Sequence, residues 1–112
     1  MNERFPKSRV LRRRDDIDGL FKRGRRVNGH CVIVSYQATD DPDFRVAISC
    51  GRGIGNAVVR NRWKRRIREI VRRSASAWTG FDVLIIVRRS IIEKSFPQVR
   101  DELIQLARAM RR

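Results

Sequence analysis

A single histidine, His30, rules out acid–base chemistry built on two imidazoles. The two cysteines, Cys31 and Cys50, lie far apart, with no CxxC spacing and with strand-like neighbours ("HCVIVSY", "RVAISC"). That setting favours two buried thiols over a disulfide or a metal site. No apolar run approaches the roughly 18 residues that a membrane span needs. The start, "MNERFPKSRVLRRRDD", lacks the apolar segment of a secretory signal, so the expected location is the cytoplasm. Acids are scarce too, with 12 Asp and Glu facing 27 Lys and Arg for a net charge of +15. That excess speaks of an anionic partner, nucleic acid or an acidic membrane surface, and not of the fold.

With 112 residues and 41% of them hydrophobic, the chain suits one domain around one core, preceded by a basic arm over residues 1–14. Asp15 and Asp16 suit a helix start, Ile17, Leu20 and Phe21 form one apolar stripe, and Gly24 stops the helix. "RRVN" and "HCVIVSYQA" read as antiparallel strands hinged at Asn28–Gly29, and "FRVAISC" as a third strand. The glycine-rich "GRGIGNA" turns into a long helix over about residues 56–77. The apolar run Val83 to Val87 predicts a strand buried on both faces. Ser95 and Gln98 then form a capping-box pattern ahead of a helix whose Val99, Leu103, Leu106, Ala107 and Met110 share a face. The order is α-β-β-β-α-β-α, an α+β domain with helices on a mixed sheet.

The long helix carries the strongest signal. At 100° per residue, Val59, Trp63, Ile67 and Ile70 fall within about 40° of one another and should pack on the sheet. Asn61, Lys64, Arg65, Arg68 and Arg72 point the other way, and Arg62, Arg66 and Arg73 flank them. Between Arg60 and Arg73 eight cations meet one carboxylate, Glu69, which can pair with Arg65 or Arg73. A merely solvated face mixes signs, whereas this one is nearly single-signed. A membrane surface would also need an exposed apolar stripe, and this helix turns its stripe to the core. Nucleic acid is the better partner. "GRGIGNAV" lacks the GK[ST] ending of a P-loop and the GxGxxG spacing of a dinucleotide site. Backbone N–H groups at the helix start, beside Arg52, still offer a place for a phosphate. A metal-dependent nuclease would need converging carboxylates, for which Asp15, Asp16 and Asp18, or Asp40, Asp41 and Asp43, are the candidates. The first group fits a helix start and the second a polar loop.

At "IGNAVVRNRWKRRIRE", Ile54 to Glu69, the sequence resembles the signature of the bacterial ribonuclease P protein component. The likeness extends to the basic arm, "FKRGRRV", the strand ending at Ser49, "GFDVLIIVRR" and the final helix. It implies a two-layer αβββαβα domain with a mixed four-stranded sheet and a left-handed β-α-β crossover. It further implies a partnership, one to one, with a large catalytic RNA that removes the 5′ leader from precursor tRNA. The RNA, which would bind most of the Mg²⁺, would perform the hydrolysis, and no catalytic or metal-ligating residue is assigned on the protein. By position, Arg60, Asn61, Arg62, Lys64, Arg65, Arg68 and Arg72 would face the catalytic RNA. The leader would lie in a cleft between the first helix and the sheet, formed by Phe21 with Ile17, Val34 and Tyr36, edged by Arg52, with Arg88 and Arg89 adding phosphate contacts. The family usually has aromatics where this chain has Ile17 and Val34, and a basic pair where it has Gly51 and Gly53. A generic RNA-binding or ribosomal-type protein is the alternative on composition alone.

Overall fold

The computed structural model describes residues 9–112. Helix α1 spans Arg14–Arg23, followed by strands β1 (Arg25–Asn28), β2 (Val32–Ala38) and β3 (Arg45–Ser49). Helix α2 (Ala57–Arg73), strand β4 (Phe81–Val87) and helix α3 (Phe96–Ala109) complete the order αβββαβα. The four strands form one mixed sheet in the order β1-β2-β4-β3. β1 pairs antiparallel with β2, and β2 with β4, while β3 lies parallel to β4. The run that reads as doubly buried is therefore the central strand β4, joined to β3 through the crossover helix α2.

Side-chain alternation sorts the sheet into two faces. Val32, Val34, Tyr36, Val46, Val83, Ile85 and Val87 join Trp63, Ile67, Val99 and Leu103 in the main core, under α2 and α3. The opposite face carries a smaller cluster of Leu11, Leu20, Ala47 and Leu84 beneath α1. The expected two layers, sheet and α2/α3, form the body of the domain, and α1 adds partial cover on the second face. The basic arm is also less free than its composition suggests. Its residues 1–8 lie outside the described part, but Leu11 is buried and its N–H donates to the Val46 carbonyl at 2.9 Å. Arg9 pairs with Asp43 at 3.0 Å and lies over the Phe44 ring.

Local chemistry explains the boundaries. Asn56 caps α2, its side-chain oxygen accepting from the Val59 N–H at 3.0 Å. Gly55, with φ +153°, supplies a backbone conformation that other residues rarely adopt. The helix ends at Arg73, not at Ala77 as expected, and a 3₁₀ turn over Ala75–Ala77 follows. That turn drops Trp78 into the core, fully buried, where its indole N–H donates to Ser74 Oγ at 3.0 Å. The capping box is present on α3: Gln98 N–H donates to Ser95 Oγ and Ser95 N–H to Gln98 Oε1. Gly24 stops α1 for want of space. Its φ is −66°, and a Cβ there would stand 2.5 Å from the Leu20 carbonyl.

Candidate nucleic-acid interface

Helix α2 has the two-sidedness that its spacing predicts. Trp63, Ile67 and Ile70 are buried with Val71, and Val59 packs on their edge. Asn61, Arg62, Arg65 and Arg68 are exposed, and Lys64 is half-buried. Among the described residues, Arg60, Arg62, Lys64, Arg65 and Arg68 make no ion pair. Two basic residues brace the helix instead. The Arg66 guanidinium lies over the Trp63 ring, 4.9 Å from its centre. Arg60 is half-buried, its Nε shut in without an acceptor among the described residues. Its charge and that of Lys64 fall near Cys50, where they oppose the upward push of burial on that thiol's pKa.

Arg72, expected on the RNA face, is ion-paired within the helix. Its Nε and Nη2 donate to the two oxygens of Glu69 at 3.0 and 2.6 Å, and Arg73 Nε adds a third bond at 2.6 Å. Glu69 thus takes Arg72 and Arg73, leaving Arg65 open. These hydrogen bonds hold the Glu69 carboxyl down at about 2. The cationic surface consequently runs from the start of α2 to Arg68 and fades in the last turn.

The second candidate surface lies on the α1 face of the sheet. Strand register places Arg26, Ser35, Leu84 and Ala47 in one cross-strand row, and the Ser35 hydroxyl donates to the Leu20 carbonyl of α1. The next row, Asn28, Ile33, Ile86 and Ser49, has only half-buried isoleucines at its centre, so α1 leaves it partly open. Phe21 is 53% exposed at the rim, with the Arg26 guanidinium 5.1 Å from its ring centre, and Ile17 and Ile86 each pack against the cluster beneath α1.

Val34 and Tyr36, expected beside Phe21, point the other way. Val34 is fully buried in the main core. Tyr36 stacks edge-on against Phe81 at 5.5 Å, and its hydroxyl accepts from the Arg111 N–H. Ile33 and Ser35 occupy the α1 face in their place. The alternation in "CVIVSYQ" held half of this signal: it puts Val32, Val34 and Tyr36 on one face and Ile33, Ser35 and Gln37 on the other, without saying which face α1 covers.

Arg52, Arg88 and Arg89 are all exposed. The 3₁₀ turn Arg52–Ile54 touches the turn Arg89–Glu93, at the sheet end where β3 and β4 finish. Arg88 N–H donates to the Cys31 carbonyl, which fixes that end of β4 against the hairpin. The open row, these three arginines and the first turn of α2 therefore share one end of the molecule. A Cβ on Gly51 or Gly53 would meet nothing within 4 Å, so open space surrounds both.

The acidic candidates do not converge. Asp15 and Asp16 lie in the first turn of α1, while Asp41 and Asp43 accept backbone N–H bonds within their own loop. Among the described residues no three His, Cys, Asp or Glu side chains are grouped to hold a metal ion. Both cysteines are free and buried; burial and the neighbouring Glu102 push the Cys31 thiol up to about 12. No helix among the described residues is long and apolar enough to cross a membrane.

The model of the Ribonuclease P family matches residues 5–111. The chain belongs to the ribonuclease P protein family. It is 30% identical over 105 residues to the ribonuclease P protein component of Mycoplasma mycoides, an alignment covering 92% of this chain and 96% of that protein. The Streptococcus agalactiae component is 32% identical over 91 residues, 81% of this chain and 84% of its own length. In three dimensions the chain is similar to the ribonuclease P protein of Thermotoga maritima, with a TM-score of 0.85 at 30% identity over 92% of this chain and 98% of the other. A Staphylococcus aureus ribonuclease P protein variant, at 26% identity, also gives 0.85 over 92% of this chain and 88% of the other. The mixed four-stranded sheet with its three helices is the fold of those ribonuclease P proteins.

Proposed function

We propose that this chain is the protein subunit of a ribonuclease P, acting in tRNA maturation by binding a catalytic RNA, one protein per RNA, and the 5′ leader of its precursor-tRNA substrate. One observation carries the reading: α2 buries one side in the main core, while Arg62, Lys64, Arg65 and Arg68 on its other side make no ion pair among the described residues. Their charge is most cheaply neutralised by phosphates, with release of the counterions that RNA otherwise condenses. Asn61 adds an amide that can both donate and accept at a base or sugar edge.

The open row beside α1 suits single-stranded RNA. Phe21 offers a ring for a base to stack on, Ile33 and Ile86 form an apolar floor, and Arg26, Arg52, Arg88 and Arg89 supply charge along the strand's path. Hydrolysis belongs to the RNA in this reading. Mg²⁺ supports that chemistry at the RNA.

The test is a pair of assays with the catalytic RNA. Arg62→Ala and Arg68→Ala should each lower the slope of log affinity against log salt by about one. The wild-type protein should stimulate precursor cleavage at low Mg²⁺. RNA affinity without stimulation would make the chain a generic RNA-binding protein, and an unchanged slope would remove α2 from the interface.

A further inference from the structure

A further cluster of cations lies apart from α2 and next to the α1 cleft. Arg23 and Gly24 at the end of α1, Arg25 on β1, Tyr36 on β2, and Arg111 and Arg112 after α3 line a concavity of about 420 Å³. No Asp or Glu lines it. The nearest acids, Asp15, Asp16 and Asp82, belong to an adjacent groove beneath α1, where Arg45 takes up Asp82 through two hydrogen bonds. Among the described residues the four guanidinium groups make no ion pair.

The arginines are held together against their mutual repulsion. Arg111 N–H donates to Tyr36 Oη at 3.1 Å, which fixes the segment after α3 to the sheet. Arg112 reaches the carbonyls of Gly80 and Thr39 with Nη1 and Nη2, and Arg25 Nη1 lies 3.4 Å from the Arg111 carbonyl. Each guanidinium has five N–H donors, and these few carbonyl contacts leave most of them unused. A merely solvated basic segment would splay into water. Here backbone carbonyls hold the Arg25 and Arg112 forks and Tyr36 holds the Arg111 backbone, so that with Arg23 four arginines line one hollow, an arrangement suited to the oxygens of a phosphate.

We propose that this concavity seats a backbone phosphate of RNA, giving the chain a second RNA contact independent of α2. Helix α3, which touches both α2 and β1, stands between the two. The hollow adjoins the leader cleft through consecutive residues: Arg25 faces the hollow, while Arg26 turns to Phe21. A phosphodiester from the catalytic RNA and one from the precursor's leader have the same chemistry at this place. The proposal rests on the reading of the chain as an RNA-binding subunit, and its test separates the two.

The test compares Arg25→Ala/Arg111→Ala with Arg62→Ala/Arg68→Ala and with Lys94→Ala/Arg100→Ala, two cations outside both surfaces. The bond from the Arg111 N–H to Tyr36 survives the first change, and Arg25→Gln/Arg111→Gln replaces it should alanine lower the melting temperature. Salt-dependent binding is measured for the catalytic RNA alone, and for the reconstituted holoenzyme with precursors carrying long and short leaders. Loss of roughly tenfold in affinity, with the salt slope smaller by about 0.7–0.9 per phosphate, is expected in one arm. Loss in the first arm assigns the phosphate to the catalytic RNA; loss confined to long leaders assigns it to the leader. If the α2 pair weakens binding while the concavity pair matches the Lys94/Arg100 control in every arm, the concavity is not an RNA site and the proposed function stands. If neither pair differs from that control, both readings fall.

Discussion

Phe21 separates a binding role from a packing role more cleanly than any other residue of the cleft. Its ring is 53% exposed, with the Arg26 guanidinium 5.1 Å from its centre. Full burial of such a ring is worth about 1.5–3 kcal/mol, so half-burial contributes about 1 kcal/mol. The exposed cation–π contact adds about 0.5–1 kcal/mol. Phe21→Ala should therefore leave the domain folded, about 1–2 kcal/mol less stable in urea denaturation. A base stacked on the ring would lose about 1–3 kcal/mol, or about 5- to 150-fold in affinity. The assay is equilibrium binding of the reconstituted holoenzyme to precursor tRNA and to the same tRNA without its leader. Only the precursor should bind more weakly, and Phe21→Tyr should restore it. Equal weakening of both RNAs, or none of either, would refute a base-stacking role and leave Phe21 as a cover for Arg26 and the end of α1.

Trp63 supplies the contrast: only 5% exposed, its replacement by Ala should cost about 3–5 kcal/mol in chemical denaturation, and a cost below 1 kcal/mol would mean that α2 does not depend on it. Glu69 predicts a pH dependence. Its folded pKa, about 2, lies below the ordinary 4.5, so its stabilisation is complete above about 4.5 and is lost as pH falls through about 2. Solvent screens these pairs to about 0.3–0.5 kcal/mol each, so Glu69→Gln should melt slightly lower than wild type at pH 7 and equal to it near pH 2. A gap that persists in acid would show that Glu69 acts by something other than charge. Glu102 is a clamp between α3 and the β1–β2 hairpin, its Oε2 accepting from the N–H groups of Cys31 and Val32 at 2.9 and 3.0 Å. Glu102→Ala should cost about 1–3 kcal/mol and speed hydrogen exchange at those two amides first; unaltered exchange there would dismiss the clamp.

Much of this molecule is written in local pattern. The capping box at Ser95, the Asn56 cap, the apolar stripes of α2 and α3 and the continuous apolar run of β4 each depend on neighbours within a few residues, and each is legible in the chain. So is the single sign of charge along α2, because charge on an exposed helix face is set by sequence alone. Contacts between distant segments are not legible in this way. Nothing near Arg72 in the sequence decides whether Glu69 takes it or Arg65, since both lie within one turn and rotamer packing chooses. Alternation in β2 shows that Val34 and Tyr36 share a face, but which helix covers that face depends on where α1, α2 and α3 pack. The sequence alone thus determined an amphipathic basic helix on an αβββαβα frame, because periodicity and charge are properties of adjacent residues. Only the tertiary structure decided that Ile33 and not Val34 floors the cleft, and that arginines 23, 25, 111 and 112 meet in one hollow. Those outcomes rest on sheet register and chain closure across scores of residues, which no local pattern encodes.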